Sequence, residues 1–155
     1  MQGGLVVVVE HGPEGGDVVF LDPKTGELLA LASRQANSGA VLRASTFTDP
    51  FEPGSTAKLF TAAALLRNRL VDSTDEVFGE GGHWLMPVTQ SGRTRPIRDV
   101  HAHQGNLTLA EAIRSSSNIA MAKFSLRLTP EQQYETLRDF GFGTPTGTEF
   151  PSESP

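Results

Sequence analysis

The 155-residue sequence contains no cysteine, which removes disulfide frameworks, zinc–thiolate sites and cysteine nucleophiles together. The redox compartment stays open on that count. Long apolar runs are missing too: the longest strongly apolar stretch is Leu5 to Val9, far below the ~20 residues that cross a bilayer as a helix. The opening Met1-Gln2-Gly3-Gly4 lacks the charged start and apolar core of a secretory signal. No basic cluster exists. The 13 Lys and Arg residues are scattered against 18 Asp and Glu for a net charge of −5, so no nucleic-acid-binding patch is expected. Internal repeats and low-complexity tracts are likewise absent. What is present is 37% hydrophobic and 20% charged, in a chain long enough to bury a core without a metal or disulfide staple.

Turn signals divide the chain. Val6 to Glu10 and Asp17 to Leu21 are β-branched and short, and flank the Gly/Pro-rich 12-GPEGG-16, which predicts strands about a turn. The turn-forming 22-DPKTGE-27 precedes a third strand at Leu28 to Ala32, and residues 33 to 50 read as loop. Ser55 to Leu70 is rich in Ala and Leu and predicts a helix buried on most of its surface. Residues 72 to 106 suggest an irregular insertion or small hairpin. Thr108 with Glu111 has the pattern of a capping box, starting a helix that stops near 115-SSSN-118. A second apolar helix follows over residues 119 to 128. Thr129-Pro130 then opens a helix to about Phe140, ended by Gly141 and Gly143.

Chemistry is concentrated at two places. In 51-FEPGSTAK-58, Ser55 and Lys58 are three residues apart and share one face of a helix. Pro53 fixes the entry and Gly54 permits close backbone approach. The first helical turn offers free N–H groups and a positive dipole end to developing negative charge. Leu59, Phe60 and Ala62 supply an apolar setting that favours the neutral, basic form of Lys58. The alternative is plain: Ser55 caps the helix and Lys58 is a solvated surface charge. At 115-SSSN-118 the bland reading is a helix end and turn. The chemical reading uses one hydroxyl as a proton relay and the Asn118 amide to bond a lysine and a substrate carbonyl.

Together these residues resemble a known family. Ser-x-x-Lys followed by Ser-x-Asn and Lys-Thr-Gly is the motif set of the penicillin-binding and serine β-lactamase superfamily. The stretches 51-FEPGSTAK-58, 18-VVFLDPKTGELLALAS-33, 97-IRDVHAHQGNLTLAEAIRSSSNIAMAKF-124 and 139-DFGFGTPTG-147 are similar to class B penicillin-binding transpeptidases, with FEPGS most like the cell-division branch. The resemblance covers nearly the whole chain. It implies an α+β transpeptidase fold, an antiparallel sheet with a helical subdomain, with residues 1–155 forming part of one such domain. It implies Ser55 as the acylated nucleophile, Lys58 as its general base, and Ser116 and Asn118 as the second motif, Ser117 lying between them. No family role attaches to Ser115.

The third motif departs from the pattern. Lys24-Thr25-Gly26 precedes the nucleophile and lies in a turn between two N-terminal strands, so it reads as structural; Pro145-Thr146-Gly147 matches a loop that precedes the motif. The expectation is therefore an N-terminal portion of the domain, without the C-terminal strands that carry Lys-Thr-Gly.

The implied activity is peptidoglycan D,D-transpeptidation: attack on the D-Ala-D-Ala carbonyl of a stem peptide, an acyl-enzyme, and transfer to an amine, with β-lactams as mimics. The implied partners are peptidoglycan stem peptides, β-lactam antibiotics and division-complex proteins, with no cofactor. The implied location is outside the cytoplasmic membrane on an anchored parent protein. Two other classes remain open: a non-catalytic β-lactam sensor or division scaffold, and a serine β-lactamase or D,D-carboxypeptidase. His101 and His103 lack a third ligand at metal-site spacing. Trp84 reads as core, and Glu111 as a cap rather than a deacylating base.

Overall fold

The computed structural model describes residues 5–10, 15–35, 45–50, 52–88, 92–151 and 153. Parts of the expected turn (12–14), loop (36–44) and terminal segment (152, 154 and 155), with Phe51, lie outside the described residues. The chain forms two compact units, Met1–Glu52 with Gly141–Pro155, and Pro53–Phe140.

The first unit carries a three-stranded antiparallel meander, β1 (Leu5–Glu10), β2 (Gly15–Leu21) and β3 (Leu28–Gln35), in sequential order. Val7 pairs with Val19 and Val19 with Leu31, with an irregularity between Phe20 and Leu21. The β2–β3 connection is self-bonded. Asp22 Oδ1 accepts from the N–H of Lys24 at 2.7 Å and of Thr25 at 3.3 Å, and Gly26 takes φ +74°. Only glycine adopts that backbone without a steric penalty. Lys24-Thr25-Gly26 is thus a hairpin turn. The region read as loop holds more structure than expected: β3 runs on to Gln35, and Ser45–Thr48 forms one helical turn, α1. Its reason lies in a distant partner, since Ser45 Oγ donates to both oxygens of the buried Asp17 at 2.7 and 2.9 Å.

The second unit is helical with two small sheets. α2 (Ala57–Arg67), α3 (Leu109–Arg114), α4 (Asn118–Ser125) and α5 (Pro130–Asp139) surround a cluster that includes Leu65, Leu107, Ala112, Ala120, Met121 and Phe124. Phe124, Leu65 and Ile119 are fully buried, and burying such side chains contributes ~1.5–3 kcal/mol each. The expected helix from Ser55 to Leu70 is shorter. A 3-10 turn, Gly54–Thr56, precedes α2, and Arg69 at φ +54° ends it. There the N–H groups of Leu70 and Arg69 return to the carbonyls of Leu65 and Leu66, the paired closure of a left-handed helix stop.

The capping box expected of Thr108 with Glu111 is formed, and the helix start expected at Thr129-Pro130 carries a second one, Thr129 with Gln132. The stretch 72–106 takes the hairpin alternative and adds a second short strand pair. Short β4 (Glu76–Phe78) pairs with β7 (Asn106–Thr108), and β5 (His83–Pro87) pairs with β6 (Thr94–Arg98) as an antiparallel hairpin. Gly79 permits the crossing beside it, because a Cβ there would sit 2.7 Å from the His103 carbonyl oxygen. Lys123 fastens β4 and the hairpin to α4: its ammonium donates to Glu80 Oε1 at 2.5 Å and to the Phe78 carbonyl at 2.8 Å, and lies 5.2 Å from the Trp84 ring centre. Trp84 is half-buried in that contact rather than in the central core.

Candidate active site

The second unit brings Ser55, Lys58 and Ser116 together. Gly54 at φ +56° turns the chain into the 3-10 turn, so that Ser55 stands one turn ahead of Lys58 at the entrance to α2. Ser55 makes no capping bond to the helix it precedes; the residue at the cap position is Thr56, also without a side-chain cap. The Ser55 hydroxyl instead faces side chains. Its Oγ lies 2.7 Å from Ser116 Oγ and receives a bond from Lys58 Nζ at 3.1 Å. Lys58 Nζ also donates to Ser116 Oγ at 2.9 Å and to the Ser116 carbonyl at 2.7 Å. Three polar atoms thus form a closed triangle.

The helix break at residues 115–118 explains how Ser116 reaches it. α3 ends with Ser117 N–H on the Ala112 carbonyl at 2.9 Å and Ser116 N–H on the Ile113 carbonyl at 3.1 Å. In this closure the residue between cap and exit adopts a left-handed backbone and is usually glycine. Here it is Ser116, at φ +54°. A side chain in that region costs ~1–3 kcal/mol and is tolerated where surrounding structure over-determines it. The left-handed turn directs both the carbonyl and the hydroxyl of Ser116 to Lys58.

α4 then starts at Asn118, and the N–H groups of its first turn all have acceptors. Ser117 caps it, its Oγ accepting from Ala120 N–H at 3.0 Å. The Asp99 carboxylate accepts the next two, from Asn118 N–H at 2.6 Å and Ile119 N–H at 3.0 Å, and also the Ser117 hydroxyl at 2.6 Å. A carboxylate at a helix N-terminus is favoured by the dipole as well as by the bonds. The Asn118 side chain is held from the same strand end, donating to the Arg98 carbonyl at 2.8 Å. The described contacts of Asn118 do not include Lys58, so the lysine–amide bond expected from the sequence is replaced by this one. Ser117, expected only as a spacer, is 1% exposed and fixes the motif to Asp99.

Electrostatics favour a base at Lys58. Partial burial pushes its ammonium below the ordinary value of 10.5, while the Asp99 carboxylate opposes that shift. A neutral amine can take the Ser55 proton directly or through the Ser116 hydroxyl, which touches both.

Asp99 was not legible as a site residue, because its partners are 18 to 20 residues further on and belong to another element. The available signal was an acid just after a β-strand, ahead of a Ser-Asn helix start whose first N–H groups need further acceptors. Glu111 is occupied by its cap and by Arg114, and Ser115 by the Glu111 carbonyl. His103 is half-buried against Glu80 in an isolated bridge, and no metal-binding cluster occurs among the described residues.

Residues 16–155 match the family described as the penicillin binding protein transpeptidase domain. The chain is 36% identical over 156 residues to "Probable peptidoglycan D,D-transpeptidase PbpC" of Pseudomonas aeruginosa, covering 96% of this chain and 26% of that protein. It is 34% identical to "Probable peptidoglycan D,D-transpeptidase PenA" of Neisseria flavescens, covering 95% of this chain and 36% of that one. Among solved structures it resembles the transpeptidase domain of Burkholderia pseudomallei penicillin-binding protein 3, with a TM-score of 0.75 at 30% identity, over 93% of this chain and 39% of that one. It therefore spans only about a third of the relatives' length, and its fold class is α+β as expected. The chain belongs to the penicillin-binding protein transpeptidase domain family.

Proposed function

We propose that the native protein containing this chain is a serine-type peptidoglycan D,D-transpeptidase, with residues 1–155 contributing the nucleophile side of one transpeptidase domain. The observation that carries the reading is the Ser55–Lys58–Ser116 triangle, with edges of 3.1, 2.9 and 2.7 Å. Ser55 Oγ loses its proton to the neutral Lys58 amine and attacks the D-Ala-D-Ala carbonyl carbon. The C–N bond breaks, the proton passes to the leaving D-Ala amine, and an ester to Ser55 remains. An acceptor amine then attacks that ester, and Ser55 recovers its proton. Ser116 relays protons between Ser55 and Lys58. Asn118 offers the amide oxygen, which has no bond among the described contacts, to the substrate peptide. β-Lactams acylate the same hydroxyl.

Resemblance to the cell-division branch supports peptidoglycan stem peptides as substrates and division-complex proteins as partners. It also supports a parent protein anchored in the cytoplasmic membrane with this domain outside. No helix among the described residues is long and apolar enough to span a membrane. The test is release of D-Ala from a stem pentapeptide, followed with and without an acceptor amine. Release with formation of the cross-linked amide is expected, and Ser55→Ala abolishes both. Penicillin labelling without any turnover would instead identify a sensor or scaffold; release without transfer would identify a hydrolase.

A further inference from the structure

A groove of about 500 Å³ opens from the candidate active site. Lys58 and Asn118 lie at one end, Ala122 and Ser125 of α4 line it, and β6 contributes Arg95 and Arg98. Antiparallel pairing sets Arg95 opposite Met86 and Ile97 opposite Trp84. Arg95 and Ile97 are two residues apart and so share a face, the one whose Trp84, Met86 and Ile97 are half-buried. The Arg98 backbone is pinned by the 2.8 Å bond from Asn118.

The positive charge here runs against the net charge of the molecule, although Arg69 of the same unit likewise has no acidic partner among the described residues. The net charge is −5, and Arg67, Arg114 and Arg127 of the same unit each meet an acid. Neither Arg95 nor Arg98 has an acidic partner among the described residues. The Arg95 guanidinium beside an apolar groove suits a carboxylate, which arginine binds through a planar fork of donors; Arg98, three residues on and opposite His83, falls on the other face of the strand.

We propose that Arg95 forms a subsite for a carboxylate of the acyl-donor peptide, upstream of the bond that Ser55 attacks; this rests on the acyl-transfer reading above. Distance separates it from the terminal carboxylate. Arg95 lies three residues before Arg98 on β6, and the Arg98 carbonyl meets Asn118 at the active-site end, so Arg95 stands ~10 Å away at ~3.3 Å per residue. An extended peptide covers that in ~3 residues, whereas the terminal carboxylate lies one residue beyond the attacked carbonyl. The occupant is a side-chain or branch carboxylate of an earlier residue.

The test uses the native full-length protein and two synthetic donors ending in D-Ala-D-Ala. They differ only in the preceding residue, whose side chain ends in a carboxylate or in the matching carboxamide. Arg95→Gln is compared with wild type by kcat/KM for D-Ala release and by benzylpenicillin acylation rate. The expected result is a loss of about tenfold for the carboxylate donor, the scale of one charged hydrogen bond. The carboxamide donor and benzylpenicillin acylation should change little. Equal losses on both donors, or none, would overturn the subsite. Wild-type protein that benzylpenicillin does not acylate would overturn the acyl-transfer reading separately. The subsite is then decided by calorimetric binding of the two peptides, where a carboxylate preference must be present in wild type and lost in Arg95→Gln.

Discussion

Replacing Asp99 separates the two tasks its carboxylate performs. It accepts three hydrogen bonds from Ser117, Asn118 and Ile119, and it opposes the downward shift of Lys58. Asp99→Ala removes all three acceptors. Loss of a helix cap costs ~0.5–2 kcal/mol, and loss of a bond to a charged group adds ~1.5–3 kcal/mol. Because Asp99 is only half-buried, water recovers part of this, and the expected destabilisation is ~2–3 kcal/mol by denaturant unfolding.

Asp99→Asn keeps the shape and one acceptor oxygen, which can still serve the Asn118 and Ile119 N–H groups, but it removes the charge. Lys58 then loses the influence that raises its pKa. The alkaline rise of penicillin acylation with pH, which tracks neutral Lys58, should therefore move to lower pH. Its plateau should fall by ~10-fold or more, since small misplacement of catalytic groups carries such costs. Linkage has the matching sign. The folded Lys58 pKa is below the unfolded one, so its contribution to stability rises with pH through the window beneath 10.5. The assay is the second-order acylation rate measured from neutral to alkaline pH, with far-UV circular dichroism as a folding control. An unchanged limb, or one displaced to higher pH, would refute the argument that Asp99 acts on Lys58.

Two further substitutions bear on the roles assigned. Lys58→Arg should abolish acylation nearly as completely as Lys58→Ala, because arginine keeps the charge yet cannot give up its proton as a base must; most of the rate surviving would reduce Lys58 to an electrostatic aid. Lys24→Ala should leave the acylation rate of the native protein within about twofold, a surface substitution being worth ~0.5 kcal/mol or less, since the Lys24 side chain is exposed and its turn is closed by Asp22 and Gly26. A large loss without unfolding would mean that this Lys-Thr-Gly serves the site after all.

Local signals carried well from sequence to structure. The capping box at Thr108 and Glu111 depends on side chains three residues apart, and it formed, as did the helix start at Thr129-Pro130. Ser55 and Lys58 met because helical spacing alone brings i and i+3 together. The Ser-Ser-Ser-Asn stretch could be read as a helix break, and it is one. Its left-handed Ser116 could not be read, because glycine is the residue that normally signals that backbone. Non-local terms were the ones missed. Ser45–Thr48 is organised by Asp17, 28 residues earlier, and α4 is capped from Asp99. The β5–β6 hairpin was only half legible, since alternation over five residues interrupted by Pro96 is a weak signal. Its half-buried face is defined by α4 and Lys123, not by its own sequence.

The central claim is that Ser55 is the hydroxyl that becomes acylated. Treating the native full-length protein with benzylpenicillin, then measuring intact mass and mapping the modified peptide, tests it most directly. The account predicts one adduct, carried by the peptide containing Ser55 and absent from Ser55→Ala. An adduct on Ser116, or one that persists in Ser55→Ala, would contradict it.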